Sequence, residues 1–397
     1  MPGRVGRGTI SPRASPHGSP CGRRLRPGHW KAGPVNDTIT AARRRAAGHQ
    51  HRFDTRFAAY FDSLTGPAGG GLELPPRGRF PQDALALLRD MAMRGGKRLR
   101  VALLHEAAAL VADGPVPGLD EAAISIELLQ AHGLIHDDII DDSPMRRGGR
   151  SVYYAYRDRF PDRTDTALAL AVLAGDLAAF LAQRVLLSSG LPPGRAAAMA
   201  AVQADVGAAA VLGQFLDLER DFGPAPDLDL LHAVTEFKST RYSVLAPLRL
   251  GLLAAGVDPA PYDGELRRYA SALGIANQLR DDWLDLFGDP GTVDKPLGTD
   301  IRSGRHSYVV RELLAAAEPS ELSYLDTVLG DSGSDEDAID RVRGIARRHG
   351  VDRSVQAEAD RHARKAAEVA ATWHERWRAD AVTFFEHLPA WTANRDH

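Results

Sequence analysis

Apolar residues recur at three- and four-residue spacing along most of this 397-residue chain, from about residue 50 onward. Between positions 121 and 140, for example, Ile124, Leu128 and Ile135 share one helical face. Alternating strand patterns are nearly absent, and Gly and Pro cluster at the breaks, as at Gly190-Leu191-Pro192-Pro193. The pattern predicts an all-α fold, a single-domain helical bundle of roughly ten or more helices.

The N-terminal segment differs in composition from the rest of the chain. It is rich in Gly, Pro, Ser and Arg, and residues 1–36 carry six Arg and one Lys without any Asp or Glu. Such a segment buries too little apolar surface to offset the entropy lost on ordering. We predict a disordered basic arm over residues 1–48 and one all-α domain over residues 49–397. An organellar transit peptide is the alternative interpretation of the arm.

Charge and cysteine content exclude several classes of protein. The net charge is −3, so the residues after position 36 sum to −3 − 7 = −10, which argues against nucleic-acid binding. Cys21 is the only cysteine, which excludes an internal disulfide and fits a cytoplasmic location. Asp176 and Asp217 interrupt the apolar runs before these reach about eighteen residues, so we expect no transmembrane segment.

Two segments carry the pattern Asp-Asp-x-x-Asp inside strongly apolar helical stretches. Their members are Asp137, Asp138 and Asp141, and Asp281, Asp282 and Asp285. Helical spacing places the first and last Asp of each cluster one turn apart, where like charges repel unless a cation neutralises them. Carboxylate oxygens suit Mg²⁺, which completes its shell with substrate phosphate oxygens. We therefore interpret the clusters as a magnesium site for a diphosphate, the alternative being a solvated acidic face.

Basic segments flank both acidic clusters. They are Gly95-Gly96-Lys97-Arg98-Leu99-Arg100, Arg146-Arg147-Gly148, Lys238-Ser239-Thr240, and Lys295 with Arg302 and Arg305. Guanidinium groups match phosphate oxygens in pairs, and Lys acts as a point charge. The glycines before Lys97 allow the backbone to approach an anion closely. Each segment alone is compatible with a solvated face, but their position beside the acidic clusters indicates a cavity for a polyanionic substrate.

In their order along the chain, these motifs resemble those of the isoprenyl (polyprenyl) diphosphate synthase family, the chain-elongating prenyltransferases. Further matching elements are Gly175-Asp176, Gly213-Gln214 with Asp217, Tyr242, Gly288-Asp289-Pro290, and Thr299-Asp300-Ile301-Arg302. Among family branches the sequence looks closest to actinobacterial geranylgeranyl diphosphate synthases. The resemblance implies a helical bundle around a deep central cavity, usually as a homodimer. It also implies Mg²⁺-dependent head-to-tail condensation of isopentenyl diphosphate with dimethylallyl, geranyl or farnesyl diphosphate.

The resemblance implies a role for each matching residue. The expected Mg²⁺ ligands, for about three ions in each site, are Asp137, Asp141 and Asp281, supported by Asp138, Asp282 and Asp285. The residues expected to bind the allylic diphosphate are Arg146, Lys238 and Lys295. Those expected to bind isopentenyl diphosphate are Gly96, Lys97, Arg100, Gln130 and Arg147. Those expected beside the allylic group and its carbocation are Gln214, Ser239 and Gln278.

Three positions depart from the family pattern. Asn277 stands where Phe is expected, Arg305 where Lys is usual, and Val101 where Pro is common. The Arg305 substitution keeps the charge at that substrate-binding position, and none of the three removes a metal ligand. The effect of Asn277 on activity stays open.

The residues one helical turn before Asp137 bear on product length. In the family, bulky aromatic residues at these two positions cap the pocket at fifteen carbons. Here they are His132 and Gly133, with Leu129 and Ser125 below them. Gly133 removes one cap, so we favour a geranylgeranyl (C20) product, with farnesyl or C25 and longer products as alternatives. His132 can also be a packed core histidine without a role in length.

Two other functions compete with this interpretation. A class I terpene cyclase shares the fold and one aspartate-rich motif, but it is expected to lack the second Asp-Asp-x-x-Asp cluster and the isopentenyl diphosphate site. A non-catalytic regulatory subunit is expected to have lost metal ligands, and here all six aspartates are present.

Overall fold

The computed structural model describes residues 34–65, 71–223, 225–289 and 297–395. Within these residues the helices are α1 (Pro34–Thr65), α2 (Phe80–Met93), α3 (Leu99–Ala109), α4 (Leu119–Ile140), α5 (Val152–Arg159), α6 (Thr164–Leu187), α7 (Pro193–Glu219), α8 (Leu228–Val234), α9 (Ala246–Ala254), α10 (Asp263–Phe287), α11 (Thr299–Ser303), α12 (Tyr308–Ala316), α13 (Pro319–Val328), α14 (Glu336–Arg348), α15 (Val351–Ala371) and α16 (Ala379–Ala393). A π-helical segment, Thr235–Leu245, joins α8 to α9. The prediction of an all-α fold is confirmed.

The described strands form one short antiparallel hairpin between α4 and α5. Strand β1 (Met145–Arg146) pairs with β2 (Gly149–Arg150), with Arg146 opposite Gly149. Arg147 adopts a left-handed conformation at φ 49° and Gly148 at φ 71°, which closes the two-residue turn. The hairpin holds the basic segment that follows the first acidic cluster in a fixed orientation.

Helices α4 and α6 pack against each other at the centre of the bundle. The buried face of α6 carries alanine at three- and four-residue spacing over most of its length, namely Ala167, Ala171, Ala174, Ala178 and Ala182. Small side chains let the two helix backbones approach closely. As a result, His132 and His136, in the last turns of α4, lie beside the middle of α6.

The π-helical segment packs tightly against α7 and α10. A Cβ atom at Gly213 of α7 would lie 2.1 Å from the Lys238 backbone nitrogen, and one at Gly274 of α10 would lie 2.0 Å from Thr240 Oγ1. Both helices therefore need glycine at the crossing. Single-turn π-helical distortions often occur at functional sites, and this longer one carries Lys238, Ser239 and Tyr242.

Helix α1 corrects the predicted boundary of the N-terminal arm. The helix begins at Pro34, and Ala42 and Ala46 are buried in an apolar cluster with residues of α3 and α16. The boundary predicted at residue 48 therefore falls inside a helix and was placed too late. Alanine and arginine in this segment are strong helix formers, and composition alone did not reveal the buried stripe. Residues 1–33 lie outside the described residues.

The aromatic residues near the C-terminus pack in the core. Trp373, Trp377, Phe384 and Phe385 belong to one buried cluster with Tyr269 of α10. Tyr269 donates a hydrogen bond to the Phe385 backbone oxygen at 3.0 Å.

In the part of the chain that the structure describes, two helices are long and apolar enough to cross a membrane by length and composition. They are α6, Thr164–Leu187, and the stretch Pro193–Phe222 that contains α7. The expectation of no such segment rested on uninterrupted apolar runs, whereas these two helices are apolar on average and contain a few charged residues. Core helices of globular proteins have the same length and composition, so the finding is weak evidence for a membrane span.

Candidate active site

The first acidic cluster lies at the C-terminal end of α4. Asp137 and Asp138 belong to the last helical turn, and Asp141 is the residue that caps it. Negative charge is unfavourable at this end of a helix, because the helix dipole already places partial negative charge there. Cations from three other elements surround the cluster: Arg146 of β1, Lys238 of the π-helical segment, and Arg305 after α11.

Each carboxylate of this cluster has its own cationic partner. Asp138 is buried and accepts a hydrogen bond from Arg146 Nε at 2.8 Å. Asp141 Oδ1 accepts one from Arg305 Nη2 at 2.6 Å. Asp137 Oδ1 is buried, has no hydrogen-bond partner among the described residues, and lies 3.2 Å from Lys238 Nζ. The three carboxylates are thus neutralised by side chains that a diphosphate would also attract.

The pKa values in this region follow from burial and from the density of charge. Burial, with the neighbouring Asp137 charge, raises the pKa of Asp141 above its ordinary value despite Arg305. Burial alone would lower the pKa of Lys238, but Asp137 and Asp217 outweigh it and raise that pKa. Lys238 therefore stays protonated, and its ammonium group bridges the two carboxylates, with Nζ 2.5 Å from Asp217 Oδ2.

The hairpin brings the first two basic segments together. Arg147 Nη1 donates a hydrogen bond to the Gly95 backbone oxygen at 3.1 Å. A Cβ atom at Gly96 would lie 3.3 Å from the Arg147 guanidinium carbon, so glycine leaves room for that group. Burial lowers the pKa of Arg147, and the charges of Arg98 and Arg100 lower it further. A buried cluster of like cations favours an anion as its neighbour.

Arg100 and Gln130 each present an unsatisfied polar atom. Arg100 Nη2 donates to the Tyr242 hydroxyl at 3.2 Å, and its guanidinium carbon lies 5.0 Å from that ring's centroid. Arg100 Nε and Gln130 Oε1 are buried without a hydrogen-bond partner in the described structure. Buried polar atoms normally have partners, so these two indicate a position for a polar ligand.

The second acidic cluster lies on α10, and its three members have different environments. Asp282 is buried and accepts hydrogen bonds from Gln278 Nε2 at 2.8 Å and from the Tyr308 backbone nitrogen at 2.9 Å. Burial raises the pKa of Asp282 to about 7. The Asp285 carboxylate accepts from the backbone nitrogens of Thr299 and Asp300, at 3.2 and 3.1 Å.

Asp281 is the most exposed of the three and forms an ion pair with Arg395 near the C-terminus. Of this cluster, Asp281 alone faces solvent, whereas Asp282 and Asp285 hold the loop and helices that follow. Arg305 connects the first cluster to α11, because its side chain reaches Asp141 while its backbone nitrogen donates to the Asp300 oxygen at 2.8 Å.

Two adjoining cavities lie between these elements. A polar pocket of about 100 Å³ is lined by residues that include Asp217, Arg220, Asp282, Asp300 and Arg305. An apolar pocket of about 300 Å³ is lined by residues that include Leu129, Gly133, Gly207, Ala210 and Phe215. Both pockets include Lys238 and Ser239 in their walls. A charged compartment therefore adjoins an apolar one at the π-helical segment.

The apolar pocket follows α4 away from the first acidic cluster. Asp137, Gly133 and Leu129 are spaced four residues apart along its wall, a length of about 12 Å at the helical rise of 1.5 Å per residue. A Cβ atom at Gly133 would meet no atom within 4 Å, so this position opens directly into the pocket. His132 also lines it, whereas Ser125 lies deeper and donates to the Ala182 backbone oxygen at 2.7 Å.

The remaining predicted site residues lie around the two pockets. Gln214 lines the apolar pocket, and its Nε2 is buried without a hydrogen-bond partner in the described structure. Ser239 donates to the Thr235 backbone oxygen at 3.0 Å. Asn277 Oδ1 is likewise buried without a partner among the described residues. Lys295, predicted to bind the allylic diphosphate, lies outside the described residues.

Four residues of the site received no role from the sequence. They are Asp217, Arg220, Asp300 and Arg395. Burial, with the charges of Asp285 and Asp282, raises the pKa of Asp300 well above its ordinary value. Asp217 and Asp300 lie within motifs that match the family, so the sequence could have indicated them as site residues. Arg220 and Arg395 carry no motif, and only the packing of α7 and of the C-terminus reveals them.

The residues present fit a hard divalent cation such as Mg²⁺. Asp137 offers a buried oxygen without a hydrogen bond, and buried carboxyl groups crowd both clusters. Oxygen ligands of this kind suit Mg²⁺, and a bound cation would relieve the repulsion between them.

Comparison with known proteins agrees with this arrangement. A family model for polyprenyl synthetases matches residues 82–345. The short chain isoprenyl diphosphate synthase of Methanothermobacter thermautotrophicus is 29% identical over 295 residues, which cover 72% of this chain and 84% of the relative. The farnesyl diphosphate synthase of Escherichia coli is 33% identical over 229 residues, covering 55% of this chain and 71% of that enzyme.

The fold also matches solved structures. The geranylgeranyl pyrophosphate synthase of Corynebacterium glutamicum, crystallised with isoprenyl diphosphate and magnesium, superposes with a TM-score of 0.74. It is 26% identical, and the match covers 91% of this chain and 99% of that one. The all-α bundle and its paired aspartate clusters define a prenyltransferase. The chain belongs to the polyprenyl synthetase family, whose members elongate prenyl diphosphates.

Proposed function

We propose that this protein condenses isopentenyl diphosphate with an allylic diphosphate, in a Mg²⁺-dependent reaction, to give linear geranylgeranyl diphosphate. The observation that carries the proposal is the junction of the two pockets at Lys238 and Ser239. A substrate with a diphosphate head and an apolar tail needs such a junction. Its carbon–oxygen bond, the one that must break, would lie where the two compartments meet.

The chemistry follows from the charges around that junction. Breaking the allylic carbon–oxygen bond gives a diphosphate and an allylic cation, the isopentenyl double bond attacks the cation, and a proton leaves the new chain. Mg²⁺ bound to the aspartate clusters would supply the charge that stabilises the departing diphosphate. Lys238, Arg146 and Arg305 add fixed positive charge from the protein. The apolar wall excludes water that would otherwise trap the cation.

The ion pairs between the clusters and their cations define a resting arrangement. Lys238, Arg146 and Arg305 each contact an aspartate, so substrate and metal must exchange these contacts for new ones. Arg100, Arg147 and Gln130 form a second anion site with Gly96 and Lys97, suited to isopentenyl diphosphate.

Product length is assigned from the wall of the apolar pocket. Gly133 faces open space, and Leu129 and Gly207 below it leave the pocket open along α4 and α7. A farnesyl product is the alternative, because several relatives are named farnesyl diphosphate synthases. Similar proteins are thus named for both products, and our assignment of product length rests on the pocket residues of this chain.

The assay combines purified protein, Mg²⁺ and radiolabelled isopentenyl diphosphate with dimethylallyl, geranyl or farnesyl diphosphate. A linear twenty-carbon alcohol that appears only after phosphatase treatment supports the proposal. A fifteen- or thirty-carbon alcohol keeps the reaction and refutes the assigned length. A hydrocarbon formed without phosphatase indicates a cyclase, and no incorporation indicates a non-catalytic subunit.

A bulky residue at Gly133 tests the pocket directly. Gly133→Phe should shift the products toward fifteen carbons or fewer, because the ring fills the open space. Gly194→Phe is a matched control, since Gly194 is an exposed helical glycine on α7 with no atom within 4 Å of its Cβ position. An unchanged product distribution in Gly133→Phe would contradict the assignment.

We also propose that two copies associate through α6 and α7. Leu173, Phe180 and Leu187 are each more than 60% exposed and recur every seven residues, on one face of α6. Val211 and Phe215 form a second exposed apolar stripe on α7. Apolar surface of this extent marks a protein interface.

A second copy is the expected partner, because Val211 and Phe215 also line the apolar pocket and a symmetric contact would close its outer wall. Sedimentation should give a dimer for the native chain and a monomer for Phe180→Glu. Val111→Glu places the same charge at another exposed apolar residue and should stay dimeric. A monomeric native protein would refute the proposal, as would a Phe180→Glu variant that remains dimeric.

The proposed cytoplasmic location rests on the assignment of this chain to the polyprenyl synthetase family, a class of soluble synthases.

A further inference from the structure

A group of nitrogen and oxygen ligands lies beside the first acidic cluster but faces α6. His132 and His136 are one turn apart on α4, and Asp176 is on α6. One ligand atom from each lies within 4.8 Å of the others, and within the described residues this is the one such group of three. The reaction proposed above assigns no catalytic role to this trio, although His132 stands at one of the two positions that bear on product length.

The spacing of two of these atoms suits a small divalent cation, and the third lies within 4.8 Å of both. His136 Nε2 lies 3.6 Å from Asp176 Oδ1. Two ligands of a tetrahedral zinc ion, each at about 2.05 Å, are separated by about 3.3 Å. A shift of a few tenths of an ångström would therefore bring both atoms to bonding distance.

The hydrogen bond of His132 prepares its ring for a metal. His132 Nδ1 lies 3.1 Å from the Gly175 backbone oxygen, which can only accept, so Nδ1 carries the proton. The other ring nitrogen, Nε2, then has a free lone pair. Histidine ligands of metals commonly donate their second ring nitrogen to a backbone carbonyl in this way.

The absence of a side chain at Gly175 leaves the space that the His136 ring occupies. A Cβ atom at position 175 would lie 2.5 Å from His136 Nε2 and 2.7 Å from its Cδ2. His136 Nε2 makes only a long contact to the Val172 backbone oxygen, at 3.3 Å. The ring is thus held near Asp176 by shape rather than by a strong hydrogen bond. The Val172 oxygen can only accept, so Nε2 carries the proton in this contact, and metal binding requires that the proton move to Nδ1 and that the metal replace the contact.

We propose that His132, His136 and Asp176 form a binding site for Zn²⁺, separate from the magnesium carboxylates. Imidazole nitrogens prefer zinc and similar transition metals, whereas Mg²⁺ prefers oxygen ligands only. The ion joins α4 to α6 at the wall of the apolar pocket, where His132 and His136 both stand. Three protein ligands leave a coordination position for water.

The test uses Co²⁺ as a spectroscopic substitute for Zn²⁺. Untagged, chelator-treated full-length protein is titrated with Co²⁺ in the presence of excess Mg²⁺, which occupies the oxygen sites. The native protein should develop a visible d–d absorption that saturates at one equivalent and disappears when Zn²⁺ is added. His132→Gln and Asp176→Asn should each weaken Co²⁺ binding by more than about tenfold.

Two further variants separate this site from its neighbours. Gly175→Ala keeps all three ligands but displaces the His136 ring, so it should weaken Co²⁺ binding as well. Asp141→Asn alters the magnesium cluster and should leave the Co²⁺ spectrum unchanged. Circular dichroism confirms that each variant is folded before titration.

Two results would overturn the proposal. One is a native protein without a saturable Co²⁺ spectrum. The other is a spectrum that survives in His132→Gln and Asp176→Asn but is lost in Asp141→Asn, which would place the ion on the carboxylate cluster. Neither result depends on whether the protein elongates prenyl chains, because the readout is metal binding alone.

Discussion

Removing the Glu127 carboxylate should destabilise the fold by about 3 kcal/mol, the lower end of the range for breaking a buried ion pair. Glu127 Oε2 accepts a hydrogen bond from Arg98 Nη1 at 2.6 Å, and both side chains are 2% exposed. The guanidinium group stays charged, and without Glu127 its remaining hydrogen bonds among the described residues are to Asp54 at 3.0 Å and to the Ala92 backbone oxygen at 2.8 Å. Asp54 is partly solvated, which is why we expect the lower value.

The measurement is urea unfolding of Glu127→Leu, monitored by circular dichroism, which gives the free energy of unfolding. In a thermal scan, a loss of ~3 kcal/mol would lower the melting temperature by roughly 4 °C in a chain of this length, at about 2.1 cal/mol/K of unfolding entropy per residue. The double variant with Arg98→Leu should recover most of the loss, because it leaves no buried charge without a partner.

Asp158→Asn is the matched control. It breaks an equally well-aligned arginine–carboxylate pair, Arg150 with Asp158 at 2.8 and 3.0 Å, that is about half exposed. Water screens such a pair, so the change should stay below about 1 kcal/mol. The reasoning is refuted if Glu127→Leu costs less than about 1 kcal/mol, or if the double variant is no more stable than Glu127→Leu.

The pair also bears on substrate binding. Arg98 adopts a left-handed backbone conformation, at φ 45°, between Lys97 and Arg100. Its buried guanidinium holds this turn in place. Glu127→Leu should therefore raise the KM for isopentenyl diphosphate more than that for the allylic substrate.

Two other predictions concern pH and packing. Burial, with the charges of His49 and Arg52, lowers the pKa of His105 from 6.5 to about 3, so the unfolded chain binds a proton that the folded chain does not. The free energy of unfolding should therefore fall as pH drops below 6.5, and this residue should account for about 2 kcal/mol of the loss at pH 5. His105→Asn should remove this contribution. If the free energies of unfolding of the native protein and the variant fall in parallel with pH, the prediction is contradicted. Gly213→Ala should lose about 1 to 3 kcal/mol in urea unfolding because its Cβ meets the Lys238 backbone, whereas Gly207→Ala on the same helix meets only Leu129 at 3.5 Å. If Gly213→Ala and Gly207→Ala lower the free energy of unfolding equally, the clash with the Lys238 backbone is excluded as the cause.

The fold class and the two acidic clusters could be predicted from the sequence because both depend on residues only three or four positions apart. Apolar residues three and four apart define a helix wherever it packs, and carboxylates one turn apart share a face in any helical bundle. For the same reason, Gly133 and Leu129 could be placed one and two turns below Asp137 before the pocket was seen.

Tertiary packing decided which of these residues meet. Arg98 and Glu127 are 29 positions apart, and Arg395 reaches Asp281 across 114. The start of α1 was missed because the burial of Ala42 and Ala46 depends on α3 and α16, not on neighbours in sequence. The different environments of Asp281, Asp282 and Asp285 also arise from packing, since Tyr308, Thr299 and Arg395 belong to other elements.

The physical reason is the range of the forces involved. Helix formation depends on hydrogen bonds four residues apart, so a local pattern determines it. Burial, partner charge and the position of a histidine ring depend on atoms brought together by helices distant in the chain. The helices and the type of chemistry therefore follow from local sequence. Which charges are neutralised, where the pocket opens, and the approach of His132, His136 and Asp176 to one another all depend on the packing of helices that are distant in the chain.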